Sequence, residues 1–277
     1  MTILRVFKSR PVVAAAAIAA VVAVSAPAVA HRAWMLPSAT VLSGDDVWVT
    51  VDAASSNDLF YFEHHPMRLD NLAVFSPDGK QIKAENIATG RYRSTFDVKL
   101  SESGTYKMAI VNDSLFASYR VDGQVKRMRG ATPEKIEKEI PKNATDVRVQ
   151  EVQSRMEIFV TQGKPSDTVL KPTGRGLELT AITHPNNLVA GEKAEFRLLL
   201  DGQPAKGVEV DIIPGGIRYR DKLNDVKVKT SDDGMFSFTW PEPGMYWINA
   251  GVRDDKASYK DAQRRASYTA TLEVMAP

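Results

Sequence analysis

Hydrophobic and polar residues alternate along much of the chain, which is the pattern of half-buried β-strands. Val47, Val49 and Val51 alternate with Trp48 and Thr50, and residues 92–98 and 106–110 repeat the pattern. Turn-forming residues separate these runs, as in the Ser-Pro-Asp-Gly sequence at residues 76–79. Short strands with turns this close together predict a β-sandwich or a β-barrel.

The alternation is clearest after residue 176. It predicts seven strands, at residues 177–183, 194–201, 207–213, 226–230, 235–239, 244–251 and 266–275. Asp-Gly pairs at 201–202 and 233–234 are strong hairpin signals. Seven strands is the number in an immunoglobulin-like sandwich.

Residues 112–176 differ, because they are highly charged and lack sustained alternation. Thr132, Pro133 and Glu134 have the order of an N-cap, a first-turn proline and a first-turn acid, and Pro141 would end the helix. We therefore predict an all-β protein of two β-sandwich (immunoglobulin-like) domains, 31–111 and 177–277. A charged connecting segment, 112–176, with one short helix would join them.

The first thirty residues have the three parts of a secretory signal peptide. Arg5, Lys8 and Arg10 precede an apolar run at 12–24, and Ala-Val-Ala at 28–30 forms a cleavage site. The apolar run is too short to cross a bilayer core of about 30 Å comfortably. We predict removal of residues 1–30, a periplasmic or secreted location, and no stable membrane insertion afterwards.

The charge of the mature chain is close to zero. The leader holds three of the 36 Lys and Arg residues and no Asp or Glu, so the mature balance is 33 − 34 = −1. Nothing in this balance favours a nucleic-acid partner. The chain has no Cys, which excludes disulfides, Cys-ligated metals and Cys nucleophiles.

The mature start, His-Arg-Ala-Trp-Met-Leu-Pro-Ser at residues 31–38, resembles that of a bacterial exported family of undefined function. The family was once described as the periplasmic component of a cobalt/nickel transport system. Further similar segments are residues 176–179, 200–204, 230–236 and 243–247. The resemblance covers most of the mature chain and implies metal handling, with a membrane transporter as a candidate partner.

A histidine at the new amino terminus can chelate a metal ion. Cleavage after Ala30 gives His31 a free α-amine beside its ring Nδ1, and His64 and His65 offer a further imidazole. Such nitrogen sites suit Ni, Co, Cu or Zn ions. Adjacent strand residues point to opposite faces, so only one of the His64–His65 pair would reach His31.

Several other residues have weaker claims. Glu63 or Asp70 would be an oxygen ligand or a hydrogen-bond acceptor behind the metal, and Met35 and Met67 would matter only for Cu(I). His184 precedes Pro185 and fits a turn better than a metal site.

Aromatic and basic residues allow other interpretations. Trp34, Trp48, Trp240 and Trp247 would suit a sugar-stacking platform or, more simply, core packing. The basic cluster at residues 126–129 favours a solvated charged face.

The chain contains no Gly-x-Ser-x-Gly, His-Glu-x-x-His or phosphate-binding glycine motif. We therefore expect no enzymatic activity. The leading hypothesis is a periplasmic metal-binding or metal-delivery accessory protein with His31, His64 and His65 as ligands. The alternative is an extracytoplasmic adhesion-like or carbohydrate-binding module.

Overall fold

The computed structural model describes residues 31–277 and contains three β-sheets. One sheet is shared by two sandwiches, and each sandwich encloses its own hydrophobic core. The predicted signal peptide, residues 1–30, lies outside the described residues. Residues 31–277 form a single unit.

The described residues contain nineteen strands, one α-helix and two short 3₁₀ helices. The strands of the first half are β1 (Arg32–Pro37), β2 (Val41–Leu42), β3 (Val47–Ser56), β4 (His65–Pro66), β5 (Leu72–Phe75), β6 (Gln81–Ile82), β7 (Glu85–Thr89), β8 (Ser94–Leu100), β9 (Gly104–Val121), β10 (Gln124–Ala131) and β11 (Thr145–Gln162). The helices are α1 (Pro133–Glu139) and the 3₁₀ turns Thr168–Leu170 and Ile217–Tyr219. The remaining strands are β12 (Leu177–Ala181), β13 (Lys193–Leu200), β14 (Gln203–Pro204), β15 (Glu209–Pro214), β16 (Val226–Lys229), β17 (Met235–Thr239), β18 (Gly244–Asp254) and β19 (Gln263–Val274).

One long sheet, which we call the large sheet, takes part in both sandwiches. Its strand order is β16-β15-β18-β19-β11-β9-β5-β6, with β10 also paired to β9 and β2 to β11. The two halves meet where β11 and β19 pair in parallel, from Gln150 opposite Gln263 to Ile158 opposite Thr271. The backbone hydrogen bonds therefore continue from one half to the other.

The first sandwich packs the sheet β1-β3-β8-β7, with β4 added to β3, against β11-β9-β5-β6. Strand β3 shows why the sequence folds this way, since Val47, Val49 and Val51 are buried while Trp48 and Thr50 face outwards. The core residues supplied by both sheets are Met35, Val47, Val49, Val51, Ala53, Val74, Phe96, Val98, Leu100, Tyr106, Met108, Ile110, Met156, Ile158 and Val160.

The second sandwich packs β12, β13, β14 and β17 against the other half of the large sheet. The largest fully buried side chains of its core are Trp240, Tyr268, Phe196 and Leu177. All seven strands predicted after residue 176 are present as β12, β13 and β15–β19, and β14 is an additional two-residue strand. The all-β architecture is confirmed.

The segment 112–176 contains the expected helix α1, with Thr132 at its N-cap, accepting a hydrogen bond from the backbone of Lys135. Most of the segment, however, lies in β9, β10 and β11 rather than in a connection. Strands β9 and β11 pair from Gly104–Gln162 to Arg120–Thr145, with one register shift between Thr145 and Arg148. The outer part of β9 buries Leu115 and Ala117, which pack with Ile136 of α1, but the charged residues Asp113 and Arg120 mask this alternation in the sequence.

The two-domain division at residues 111 and 177 stays a prediction. Within residues 31–277, no helix is long and apolar enough to cross a membrane.

Candidate metal centre

The three predicted ligand histidines lie together at one end of the first sandwich. Strands β1 and β4 both pair with β3, which places Ala33 opposite Ser55 and Ser55 opposite His65. Residues in register across a sheet share a face, and His31 immediately precedes β1, two positions before Ala33. The pairing thus brings two segments separated by more than thirty positions to one place.

The imidazole rings are in contact. The rings of His31 and His64 are stacked, with centroids 3.5 Å apart and planes 19° apart. The ring of His65 stands edge-on, 4.7 Å from His64 and 6.1 Å from His31. All three residues are exposed to solvent, so an ion can reach them.

The stacked arrangement does not itself form a closed metal site. Ring lone pairs lie in the ring planes, and two nearly parallel planes 3.5 Å apart do not direct their lone pairs at one point. Consistent with this, no group of three His, Cys, Asp or Glu side chains within residues 31–277 is arranged to hold a metal ion. The exposed ring of His31 or His64 must rotate about its side-chain torsions before the ring lone pairs can converge on one ion.

The surroundings of His65 disfavour its protonated form. Partial burial lowers the pKa of His65, and the neighbouring charges of His64 and then His31 lower it further. The neutral form of imidazole is the form that binds metals. The lowered pKa therefore favours the form of His65 that a metal requires.

Two tryptophans anchor β1, the strand that begins immediately after His31. Trp34 is fully buried, and its Nε1 donates a hydrogen bond to Ser56 Oγ at 2.8 Å. Strand β1 is the edge of its sheet, and the carbonyl of Ala33 accepts a hydrogen bond from Trp247 Nε1 at 2.9 Å. Both rings belong to one hydrophobic cluster, so the second half of the chain fixes the strand next to the site.

The loop between β3 and β4 is held by side-chain to backbone hydrogen bonds. Glu63 Oε1 accepts from the backbone N–H groups of Asn57 and Asp58, both at 2.8 Å. The carbonyl of Asn57 accepts from Arg32 Nη1 at 3.0 Å, which ties the loop to β1. These contacts position the backbone from which His64 projects.

Phe60 in this loop has a left-handed backbone, with φ of 65°, which is unusual for a bulky residue. Its ring packs edge-on against Trp34, with centroids 5.6 Å apart, and it also approaches Gly215 so closely that a Cβ there would lie 3.0 Å from it. The packing holds the strained conformation.

The other predicted ligands have different surroundings. Glu63 is occupied by the loop amides, and Asp70 pairs with Arg68 at 2.7 Å. Met35 is fully buried in the first core, and Met67 packs against that core. The structure brings neither of the two carboxylates into a converging group with the histidines.

His184 lies in a turn, since its carbonyl accepts from the N–H of Asn187 at 2.9 Å. Its Nδ1 accepts from the N–H of Asn186, and its Nε2 lies 3.0 Å from Thr105 Oγ1. Burial lowers its pKa. Both ring nitrogens thus have protein partners.

The tryptophans do not form a joint platform, because Trp34, Trp240 and Trp247 are buried. Only Trp48 among the four is exposed, at 37%, and Lys99 Nζ lies 5.4 Å from its ring centroid. Core packing is therefore the role of three of them.

Sequence reasoning missed two neighbours of the site. Phe62 lies 5.7 Å from Trp34 between ring centroids, and the Arg93 guanidinium carbon lies 4.3 Å from the Phe62 centroid. Phe62 is two positions from His64, but Arg93 comes from the turn before β8, and no local pattern links it to the site.

A family model described as "Domain of unknown function (DUF4198)" matches residues 28–254. Comparison with curated proteins gives no match.

Solved structures give distant likenesses. The D0-D1 domain of Intimin is 13% identical over 86% of this chain and 96% of its own, with a TM-score of 0.20. Escherichia coli alpha-2-macroglobulin activated by porcine elastase is 14% identical over 87% of this chain and 20% of its own, with a TM-score of 0.22. Chicken CNTN1 FN1-FN3 domains are 8% identical over 87% of this chain and 97% of their own, with a TM-score of 0.23. TM-scores this low carry no argument about function.

Proposed function

The chain belongs to the family described as Domain of unknown function (DUF4198), and we propose that it is a metal-binding or metal-delivery accessory protein for a transition metal such as nickel, cobalt or copper. His31, His64 and His65 are its proposed ligands. The observation that carries the proposal is the contact of three imidazoles from two separate segments, with centroids 3.5, 4.7 and 6.1 Å apart.

Cleavage after Ala30 completes the proposed site. His31 then contributes its α-amine as well as its ring, and an α-amine titrates at about pH 7.7–8.0, so a metal can displace its proton near neutrality. The two nitrogens of one residue close a chelate, and His64 or His65 adds a third nitrogen. A zinc ion would fit the same nitrogen donors.

The exposed rings favour a site that accepts and releases its ion. Binding turns the His31 and His64 rings out of their stack, and only a few exposed torsions change. The anchored backbone of Ala33 and the amide-bound loop at Glu63 remain in place. The ordering of side chains costs entropy, which lowers affinity relative to a buried, preformed site.

The setting of this function is part of the proposal. We propose export by the leader, residues 1–30, a periplasmic or secreted location, two immunoglobulin-like domains and a membrane transporter as the recipient of the metal. The separate cores of the two sandwiches support the domain division. We propose no enzymatic role.

Calorimetry on the processed protein tests the site. We expect Cu(II), Ni(II), Co(II) or Zn(II) to bind one site in the chain that begins at His31. His31→Ala, a chain with one glycine added before His31, and the double variant His64→Ala/His65→Ala should each lose at least about tenfold in affinity, equivalent to about 1.4 kcal/mol.

The matched control is His184→Gln, which removes the one histidine outside the cluster. Its metal affinity should equal that of the native protein. Equal affinity in the native, His31→Ala and glycine-extended chains would show that the amino-terminal site is wrong. The adhesion-like or carbohydrate-binding alternative would then take its place.

A further inference from the structure

A cleft of about 350 Å³ lies on the large sheet, on the face opposite the first core. Its floor is low because two small residues face each other across neighbouring strands, Ala73 on β5 and Ala109 on β9. Ligand pockets start at about this volume. The cleft is separate from the histidine cluster, and none of its lining residues belongs to that site.

The lining combines cations with apolar surface. Lys107, Arg155 and Lys171 line the cleft, and no carboxylate does. The side chains of Lys107 and Arg155 are each only 10% exposed. Apolar surface comes from Phe75 and Val111, while Lys107 Nζ lies 5.5 Å from the centroid of the Phe75 ring.

Two buried carboxylates lie behind this lining. Glu157 accepts a hydrogen bond from Tyr268 OH at 3.0 Å and one from Arg155 Nη1 at 3.1 Å. Glu178 accepts from the backbone N–H groups of Thr173 at 2.9 Å and of Gly174 at 2.7 Å. Their ion pairs with Arg155 make its burial tolerable. Glu157 lies in register with Ala109 on the same face of the sheet, but neither carboxylate lines the cleft.

The cations retain unused donors. Lys107 Nζ is 3.8 Å from Glu157 Oε1, which is beyond hydrogen-bond distance, and this is its one ion pair in the described part of the chain. Arg155 Nε is buried and has no hydrogen-bond partner among the described residues. The Arg155 guanidinium already binds Glu157 and Thr173, so Lys107 Nζ is the donor that an acceptor in the cleft would satisfy.

We propose that this cleft binds a small organic carboxylate that has an apolar body. The carboxylate contacts the ammonium of Lys107, the neighbouring Arg155 adds positive charge, and the apolar body covers the two alanines beside Phe75. Lys171, which is exposed at the rim, adds attraction for an anion. This binding is independent of the metal site.

Sodium benzoate tests the proposal, because it pairs one carboxylate with one apolar ring. Calorimetry and ligand-observed NMR should show binding to the full mature chain with a Kd of roughly millimolar or tighter. Benzyl alcohol, which has the ring without the charge, and acetate, which has the charge without the ring, should each bind at least about tenfold more weakly.

Three variants locate the binding. Lys107→Met removes the charge, and Ala73→Leu fills the floor without changing any charge. Both should lose at least about tenfold in benzoate affinity, and Lys171→Met, at an exposed position, should lose a smaller part. Lys126→Met, on the exposed strand β10, is the matched control and should bind as the native protein does.

The far-UV spectrum and Tm of each variant report whether it is folded, and Ala73→Leu and Lys171→Met keep the test valid if Lys107→Met does not fold. No binding of benzoate to the native chain would overturn the proposal. Equal binding to native and folded Ala73→Leu protein, or equal binding of benzyl alcohol and benzoate, would overturn it too.

Discussion

Replacing Trp247 with Phe should destabilise the fold next to the metal site. The indole is 7% exposed, and its Nε1 donates to the Ala33 carbonyl at 2.9 Å. A phenyl ring retains most of the apolar contact but cannot donate this hydrogen bond. Because β1 is an edge strand, the Ala33 carbonyl would lose the partner that the second half of the chain supplies.

The magnitude has two parts. A lost hydrogen bond that leaves its partner unsatisfied costs about 1–3 kcal/mol. The smaller ring leaves a partial cavity in the cluster of Trp34, Ala54, Leu59 and Ile213, which adds about 1 kcal/mol. We therefore expect a loss of about 2–4 kcal/mol in the free energy of unfolding, and a fall of roughly 4–16 °C in Tm.

Urea denaturation followed by far-UV circular dichroism measures the loss, since this signal does not depend on tryptophan fluorescence. The matched control is Trp48→Phe, the same substitution at a site that is 37% exposed. It should change the free energy of unfolding by less than about 0.5 kcal/mol. Equal effects of the two substitutions would refute the argument that Trp247 anchors β1.

Three further predictions concern other parts of the fold. Burial lowers the pKa of His184 below its ordinary 6.5, so as the pH falls below 6.5 the unfolded chain takes up a proton first, and stability is lost until the folded-state pKa is reached. Unfolding titrations of His184→Gln should show a shallower loss of stability in that pH range than those of the native protein, and identical slopes would contradict this. Gly234→Ala would place a Cβ against the Leu198 carbonyl, whereas the Cβ of Gly207→Ala meets nothing within 4 Å at a similar positive φ. Denaturation should therefore show that Gly234→Ala loses about 1–3 kcal/mol more of the free energy of unfolding than Gly207→Ala, and equal losses would disprove the close approach. Ile136 of α1 is 4% exposed, so Ile136→Ala should lower the free energy of unfolding by about 2–4 kcal/mol in the same assay. The control Lys135→Ala, at an exposed position, should lower it by less than about 0.5 kcal/mol, and equal losses would contradict the packing of α1.

The sequence predicted strands best where each strand has one buried and one exposed face. Strand β17 begins at Met235 and ends at Thr239, as the pattern and the preceding Asp-Gly turn predicted. Binary alternation determines such strands, because shifting the register by one residue would expose every buried side chain.

Prediction was weaker in the outer part of the ribbon of β9 and β11, where Leu115 and Ala117 are buried but most other side chains are exposed or half-buried. Its outer residues carry charges at positions of either parity, so periodicity is lost although the backbone pairing continues. Strand pairing between distant segments depends on tertiary contacts that no local pattern contains. The parallel pairing of β11 with β19 is the same kind of case.

The sequence identified His31 as a ligand because cleavage would leave its α-amine and ring nitrogen on one residue. The only adjacent pair of histidines in the sequence, His64–His65, was the predicted source of a further ligand. The sequence did not contain the reason for their proximity, which is the pairing of β1 and β4 with β3. It also expected one of His64 and His65 to point away from His31. The rings of both lie within 6.1 Å of the His31 ring, because β4 is only two residues long and begins at His65, so that His64 belongs to the preceding loop.

Electron paramagnetic resonance of the processed protein with one equivalent of Cu(II) tests the central claim most directly, because nitrogen hyperfine splitting reports the atoms bound to the ion. The account predicts a single species with at least three nitrogen ligands in the chain that begins at His31, and a different spectrum after one glycine is added before His31. It also predicts one fewer coordinated nitrogen in the His64→Ala/His65→Ala variant, because the α-amine and ring of His31 remain. An unchanged spectrum in both altered chains would contradict a site built from the terminal histidine and its two neighbours.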